Sequence, residues 1–97
     1  MGQVVFTADA HRHFEGVFAY LEEHFSLTTA GNFVQSVHLA VQKIARYPET
    51  YPVTVNDPKI HFYRLDKSRR IFYEIAETEI RVLAIFDTRQ DPAKSPY

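Results

Sequence analysis

Three side chains in the C-terminal half could cut a phosphodiester without a metal: His61, Arg70 and Arg89. Such chemistry needs a base to take the 2′-OH proton of RNA, an acid to protonate the leaving 5′-oxygen, and cations to steady the phosphate. His61 can be the base, tuned by Glu74, with Arg70 and Arg89 at the phosphate. The competing reading is a surface row of ions, with Glu74 between His61 and Arg81. Both readings draw on a local excess of positive charge: Lys59 to Arg70 holds five Lys/Arg and one acid, Asp66. The whole chain has a formal net charge of -1, without the basic excess of a dedicated nucleic-acid binder. Its 97 residues include no cysteine, which excludes disulfides, thiolate nucleophiles and Cys-based zinc sites. His11 and His13 are two apart on an expected helix and do not share a face, so the expectation is no metal and no cofactor.

Strands and helices must position these groups. Gln3 to Phe6 reads as a short strand. Thr7 is a good helix cap, and Ala10, Phe14, Val17, Phe18, Leu21 and Phe25 then recur at helical spacing, which predicts a helix over 8–25 with these aromatics in the core. Ser26 to Thr29 is a short connection with capping hydroxyls. A second helix is expected over 29–46, with Phe33, Val34, Val37, Val41 and Ile44 on one stripe and Pro48 ending it. So short a link makes the two helices an antiparallel pair. Residues 48–58 hold three of the five prolines and form a loop. The pattern then alternates, predicting strands at 59–65, 69–76 and 79–86 and an irregular tail over 87–97. The expected class is therefore α+β: one domain over 1–97, with an antiparallel-rich four-stranded sheet and a helical hairpin on one face.

Two-residue turns at Lys67-Ser68 and Glu77-Thr78 would fix the register. Ile75 would face Ile80, Tyr73 would face Val82, and Ile71 would face Ala84. Phe62 and Ile60 would join them beneath the helices. The opposite face would carry the rows His61, Glu74, Arg81, then Tyr63, Phe72, Leu83, then Leu65, Arg70, Ile85. The same parity brings in Asp87 and Arg89. Two helices cannot cover this face as well, and exposed aromatics beside Arg make a binding surface. In Asp87-Thr88-Arg89-Gln90-Asp91-Pro92, the two aspartates could instead build a turn around Arg89.

The order βααβββ in under 100 residues resembles that of RelE/ParE-type toxins, and the segment Ile71-Phe72-Tyr73-Glu74-Ile75 followed by the run Ile80 to Pro92 resembles that family's C-terminal hairpin. Phe6 to Ala10 leading into a helix that ends Ala19-Tyr20-Leu21-Glu22 is similar to that family's first helix. Ala30, Phe33 and Ile44 to Pro48 fit its second. The resemblance implies the toxin of a type II toxin–antitoxin (plasmid stabilisation) module, restrained by a cognate antitoxin whose extended or helical segment lies along it. RelE-like members cut mRNA on the ribosome, whereas ParE-like members poison DNA gyrase and are not nucleases. Arg70 and Arg89 match two nuclease positions. The strand-2 positions that hold lysines in RelE are His61 and Tyr63 here, the C-terminal His of other nucleases is absent, and Tyr97 does not align well with a C-terminal Tyr. These departures and the long helical hairpin lean toward the ParE-like side. A non-toxic binding member is the third reading. Assembly as a homodimer or as a toxin–antitoxin hetero-oligomer is compatible with all three.

The N-terminus lacks a basic region and a long apolar run, and no stretch approaches the ~20 apolar residues of a membrane helix. The expected location is the cytoplasm.

Overall fold

The structure is a computed structural model that describes residues 2–89 and 95–97. The elements follow in the order β1 (Gln3–Phe6), α1 (Ala8–His24), α2 (Leu27–Arg46), β2 (Ile60–Arg64), β3 (Arg69–Ile75) and β4 (Glu79–Asp87). The strands form one sheet in the order β1-β4-β3-β2. β1 runs parallel to β4, and the other pairings are antiparallel. This is the expected α+β fold.

Both helices start where a hydroxyl can satisfy their first free N–H groups. Thr7 Oγ1 accepts from the Ala10 N–H at 3.1 Å, and Ser26 Oγ accepts from the Thr29 N–H at 3.0 Å. Because Ser26 takes the cap, α2 begins at Leu27 rather than at residue 29. The apolar stripes then bury Ala10 and Leu21 of α1, and Ala30, Phe33, Val37, Ala40 and Ile44 of α2, against Ile71, Tyr73, Ile80, Val82 and Ile85 of the sheet. Each large aliphatic side chain buried this way stabilises the fold by roughly 1.5–3 kcal/mol. Phe25 is the exception to the stripe. It sits at the C-cap of α1 and is 65% exposed, because the helix ends before its turn can bring the ring back to the sheet. Val34 is also partly exposed, along the groove between the helices.

The β3–β4 register is as expected near the turn, where Ile75 faces Ile80 and Tyr73 faces Val82. Ile75 nevertheless lies at the sheet's end, 39% exposed, rather than under the helices. A bulge then shifts the register between Phe72 and Tyr73, so Ile71 faces Ile85 and Phe72 faces Ala84. Leu83 is the extra residue, and it packs with Phe72 on the face away from the helices. The β2–β3 turn is longer than expected. Leu65 N–H donates to Arg69 O at 2.9 Å, so the loop holds Asp66, Lys67 and Ser68. Asp66 fixes it by accepting from the N–H groups of Ser68 and Arg69 at 2.7 and 2.8 Å. One extra loop residue slips the register by one and turns every β2 side chain to the other face. Phe62 therefore faces Phe72, and His61 faces Tyr73.

Candidate functional site

The slip takes apart the constellation that the sequence suggested. His61 lies on the helix side of the sheet. Its ring stacks on Tyr73 at 5.2 Å and 14°, and its Nδ1 lies 2.7 Å from Tyr51 O. A carbonyl only accepts, so Nδ1 carries the hydrogen, and this bond ties the imidazole to the loop before β2. Tyr63 goes the same way, edge-on to Tyr51 at 4.9 Å. The expected placement of His61 and Tyr63 on the open face is thus corrected. The cause is the three-residue loop.

That loop before β2 is tied down at several points. Tyr73 Oη donates to Pro48 O at 2.6 Å. Phe62 N–H donates to Pro52 O at 2.9 Å, and Thr54 N–H donates to Ile60 O at 2.8 Å. The segment thereby covers part of the outer edge of β2, a row of backbone groups that would otherwise invite strand pairing. Burial pushes the Tyr73 hydroxyl well above its ordinary pKa, with a smaller contribution from Tyr51.

The open face keeps Arg70, Phe72, Glu74, Arg81 and Leu83. Its centre is a small second core: Ile60, Phe72 and Ala84 are buried under Phe62, Leu83, Phe86 and Tyr97. Phe72 is only 2% exposed, because the Tyr97 ring lies 5.3 Å from it. The expectation of an uncovered face with exposed aromatics is corrected by that contact. Desolvation there raises the Tyr97 pKa. Arg70 stands directly opposite Arg64, with its guanidinium 4.7 Å from the Phe62 ring centroid. Among the described residues neither arginine has a carboxylate within ion-pair distance. Like charges placed opposite each other cost stability, and the Phe62 ring offsets part of that cost. At the other end of the face Arg81 reaches Glu74 at 3.1 Å and Glu79 at 2.7 Å, and these two carboxylates raise its pKa. The Glu74–Arg81 half of the expected ionic row is present, without His61.

Arg89 lies elsewhere again. Beyond the bulge Asp87 faces Arg69, whose guanidinium sits over the Phe33 ring on the helix side. Arg89 is bound to that aspartate through Nε at 3.1 Å and Nη2 at 2.8 Å. The Arg89 side-chain bonds hold the Asp87 carboxyl below its ordinary pKa, helped by the Arg89 N–H and the Arg69 charge and opposed by burial. The expectation that Arg89 shares the open face with Arg70 is therefore corrected, the bulge being the cause. Of the turn motif, Asp87 does accept from Arg89, while Gln90, Asp91 and Pro92 lie outside the described residues. Arg89 forms one wall of a cleft of about 980 Å³ between α1 and the end of β4, with Arg12, His13, Tyr20 and Arg69. Each of its arginines has a carboxylate: Asp9 for Arg12, Asp66 for Arg69 and Asp87 for Arg89. His13 Nδ1 accepts from the Ile85 N–H at 3.3 Å. Spacing along the sequence does not bring Arg12, His13, Tyr20 and Arg69 together as a site: His13 enters there only beside His11 as a metal ligand, and Arg69 only as part of the basic run Lys59 to Arg70. Among the described residues no three His, Asp or Glu converge as a metal site, and no helix is long and apolar enough to cross a membrane.

A family model described as the ParE toxin of the type II toxin–antitoxin system parDE matches residues 4–92. The chain belongs to the ParE toxin family. It is the toxin of a type II toxin–antitoxin system. Comparison with curated proteins returned no match. Solved structures of similar fold support the architecture. A chromosomal ParDE system of P. aeruginosa matches with a TM-score of 0.71 at 14% identity, covering 90% of this chain and 96% of that one. A YoeB/ParE toxin from Agrobacterium tumefaciens gives 0.66 at 12% identity, over 88% and 96%. The E. coli DinJ–YafQ complex gives 0.62 at 5% identity, over 92% and 96%. At these identities the neighbours share the ParE-type fold and say nothing of individual residues.

One more feature of this ParE-family chain bears on partners. A largely apolar groove of about 400 Å³ runs between the helices, lined by Phe6, Phe14, Val34, Val37 and Val41 together with His11 and His38.

Proposed function

We propose that this toxin acts by binding, as a gyrase poison of the ParE-like kind, and that a cognate antitoxin holds it inactive in the cytoplasm. One observation carries the reading. The three residues a metal-free nuclease would need lie in three places: His61 under the loop on the helix side, Arg70 on the open face, and Arg89 on Asp87 beside α1. His61 and Arg70 point to opposite faces of the sheet and Arg89 is held by Asp87, so the three do not converge on one phosphodiester. An antitoxin segment has an apolar groove between the helices to occupy. The test is purified gyrase on relaxed plasmid. Supercoiling should fall with added toxin and recover when the antitoxin is added, and untouched supercoiling sinks the proposal.

The second reading, a RelE-like ribosome-dependent endoribonuclease, is favoured by one observation. Arg64 and Arg70 stand opposed on the open face near Phe62, and the Tyr97 ring lies on Phe72 nearby. Arg70 would then be the catalytic cation, with Phe72, Leu83, Glu74 and Arg81 as its binding surroundings. If Arg70→Ala and Arg89→Ala chains arrest growth as well as the parent, this second reading fails.

A further inference from the structure

The turn between the two helices is where a soluble chain ordinarily exposes small polar residues. Here it exposes large apolar ones side by side. Phe25 and Leu27 are each 65% exposed and Tyr20 is 49% exposed. Scattered single apolar residues need no explanation, but a cluster does. Its two aromatics also have fixed neighbours. Tyr20 stacks on His24 at 4.3 Å and meets Phe25 edge-on at 6.3 Å. Phe25 and Ser26 N–H groups both donate to Leu21 O, at 3.0 and 3.1 Å, and Ser26 caps the next helix. Aromatic anchors already held in place lose little freedom on binding, and such side chains dominate interface energies.

The charge around the tip says what covers it. Between Arg12 and Lys43 the chain has no Lys or Arg, and it carries Glu15, Glu22 and Glu23; Arg12, Arg69 and Arg89, which line the cleft that Tyr20 borders, are each paired with an aspartate. Among the described residues Glu22 and Glu23 have no ion-pair partner, and Glu15 has only His11. This acidic tip repels phosphates of nucleic acid and the anionic headgroups of a bilayer. A symmetric tip-to-tip contact would gather both copies' Glu22 and Glu23 into one interface with no Lys or Arg of the hairpin turn to offset them. A docked tip of one copy on the Arg64–Arg70 face of another would repeat head to tail into an open chain of molecules. What remains is a different protein with Lys or Arg beside an apolar recess.

We infer that the helical-hairpin tip, Tyr20, Phe25 and Leu27 rimmed by Glu22 and Glu23, is the surface by which this toxin grips its target, and that the target offers a basic, apolar-lined recess. The inference rests on the chain acting by binding. It names the part that binds.

Growth arrest on titrated induction tests it, with the parent compared to Phe25→Ser/Leu27→Ser and to Glu22→Lys/Glu23→Lys. Every residue changed is exposed, so both variants should keep the parent's thermal unfolding and its capture by the antitoxin. Each should need at least ~10-fold more toxin for the same arrest, the scale of losing one anchor pair. Gyrase supercoiling is measured in parallel. Tip-dependent arrest with supercoiling untouched would retain the tip and remove gyrase as its target. Variants that arrest growth like the parent overturn the inference, as do folded variants that lose the antitoxin instead. Head-to-tail self-association that disappears in the variants also overturns it. A parent that arrests nothing overturns both this and the proposed function.

Discussion

The two faces of the sheet are built from the same strands and do different work. The helix side buries Ile71, Tyr73, Ile80, Val82 and Ile85 completely or nearly so beneath two amphipathic helices. The other side has a three-residue core, Ile60, Phe72 and Ala84, half-covered by Phe62, Leu83, Phe86 and Tyr97, with Arg64 and Arg70 at one end and a Glu74–Arg81–Glu79 group at the other. The first face therefore carries the stability. The second has a few aromatics over a small core, and among the described residues its Arg64 and Arg70 have no carboxylate partner. The surfaces left over for a partner in the proposed function are the charged ends of this face, the groove between the helices and the hairpin tip.

Substitutions on the two faces should separate accordingly. The largest effect belongs to the helix side. Ile71→Ala should cost about 2–5 kcal/mol, because the fully buried site cannot collapse without moving a helix, and urea denaturation measures it. Tyr73→Phe should cost about 1 kcal/mol at neutral pH through the bond to Pro48 O. It should also change the alkaline limb. The folded pKa of Tyr73 is raised above its unfolded value, so its contribution is full below the ordinary tyrosine range, roughly pH 10, and is lost as pH rises from there toward the folded value. The parent should weaken above that pH more steeply than Tyr73→Phe. Equal alkaline limbs would mean that the hydroxyl is not buried neutral.

Replacing Ser26 by Ala should remove about 1 kcal/mol by freeing the Thr29 N–H at the start of α2. A smaller effect is expected at the end of β4. Asp87 has a lowered folded pKa, so its contribution is present above the unfolded value, roughly pH 4, and is lost as pH falls through the lower folded one. Arg89→Ala should therefore be less stable than the parent above that window, and the gap should close as acid is added. A gap independent of pH would remove Asp87 from the explanation. The smallest effect should come from Arg70→Ala on the second face. Loss of the ring contact and relief of the opposed charge offset each other, leaving stability within roughly 0.5 kcal/mol of the parent. A loss of several kcal/mol there would put Arg70 among the structural residues and erase the contrast between the faces.

Much of this architecture was legible from periodicity. The helical stripes, the capping residues and the alternation of β3 each follow from spacing that local backbone geometry enforces. The faces were harder, because alternation has a period of two and a single extra residue inverts it. Asp66-Lys67-Ser68 carried the signal for a three-residue loop, since an aspartate that binds the N–H groups two and three residues on favours that turn. Reading it would have put His61 and Tyr63 with Tyr73 and Ile71. The bulge at Leu83 had no such sign in the sequence, and with it Arg89 left the face assigned to it. Tyr97 on Phe72 is a contact between residues far apart along the chain, which no local pattern encodes. Phe25 fits the helical spacing but falls where α1 stops, so spacing alone placed it in the core.

The central claim is that this chain inhibits by binding rather than by cutting RNA. It is tested most directly by one induction experiment that reads both mRNA integrity and plasmid supercoiling, with the parent beside the His61→Ala/Arg70→Ala/Arg89→Ala chain. The account predicts altered supercoiling, intact mRNA at the onset of arrest, and arrest by the triple variant wherever it remains folded. Codon-phased mRNA cleavage that vanishes in the folded triple variant, with supercoiling unchanged, would contradict it.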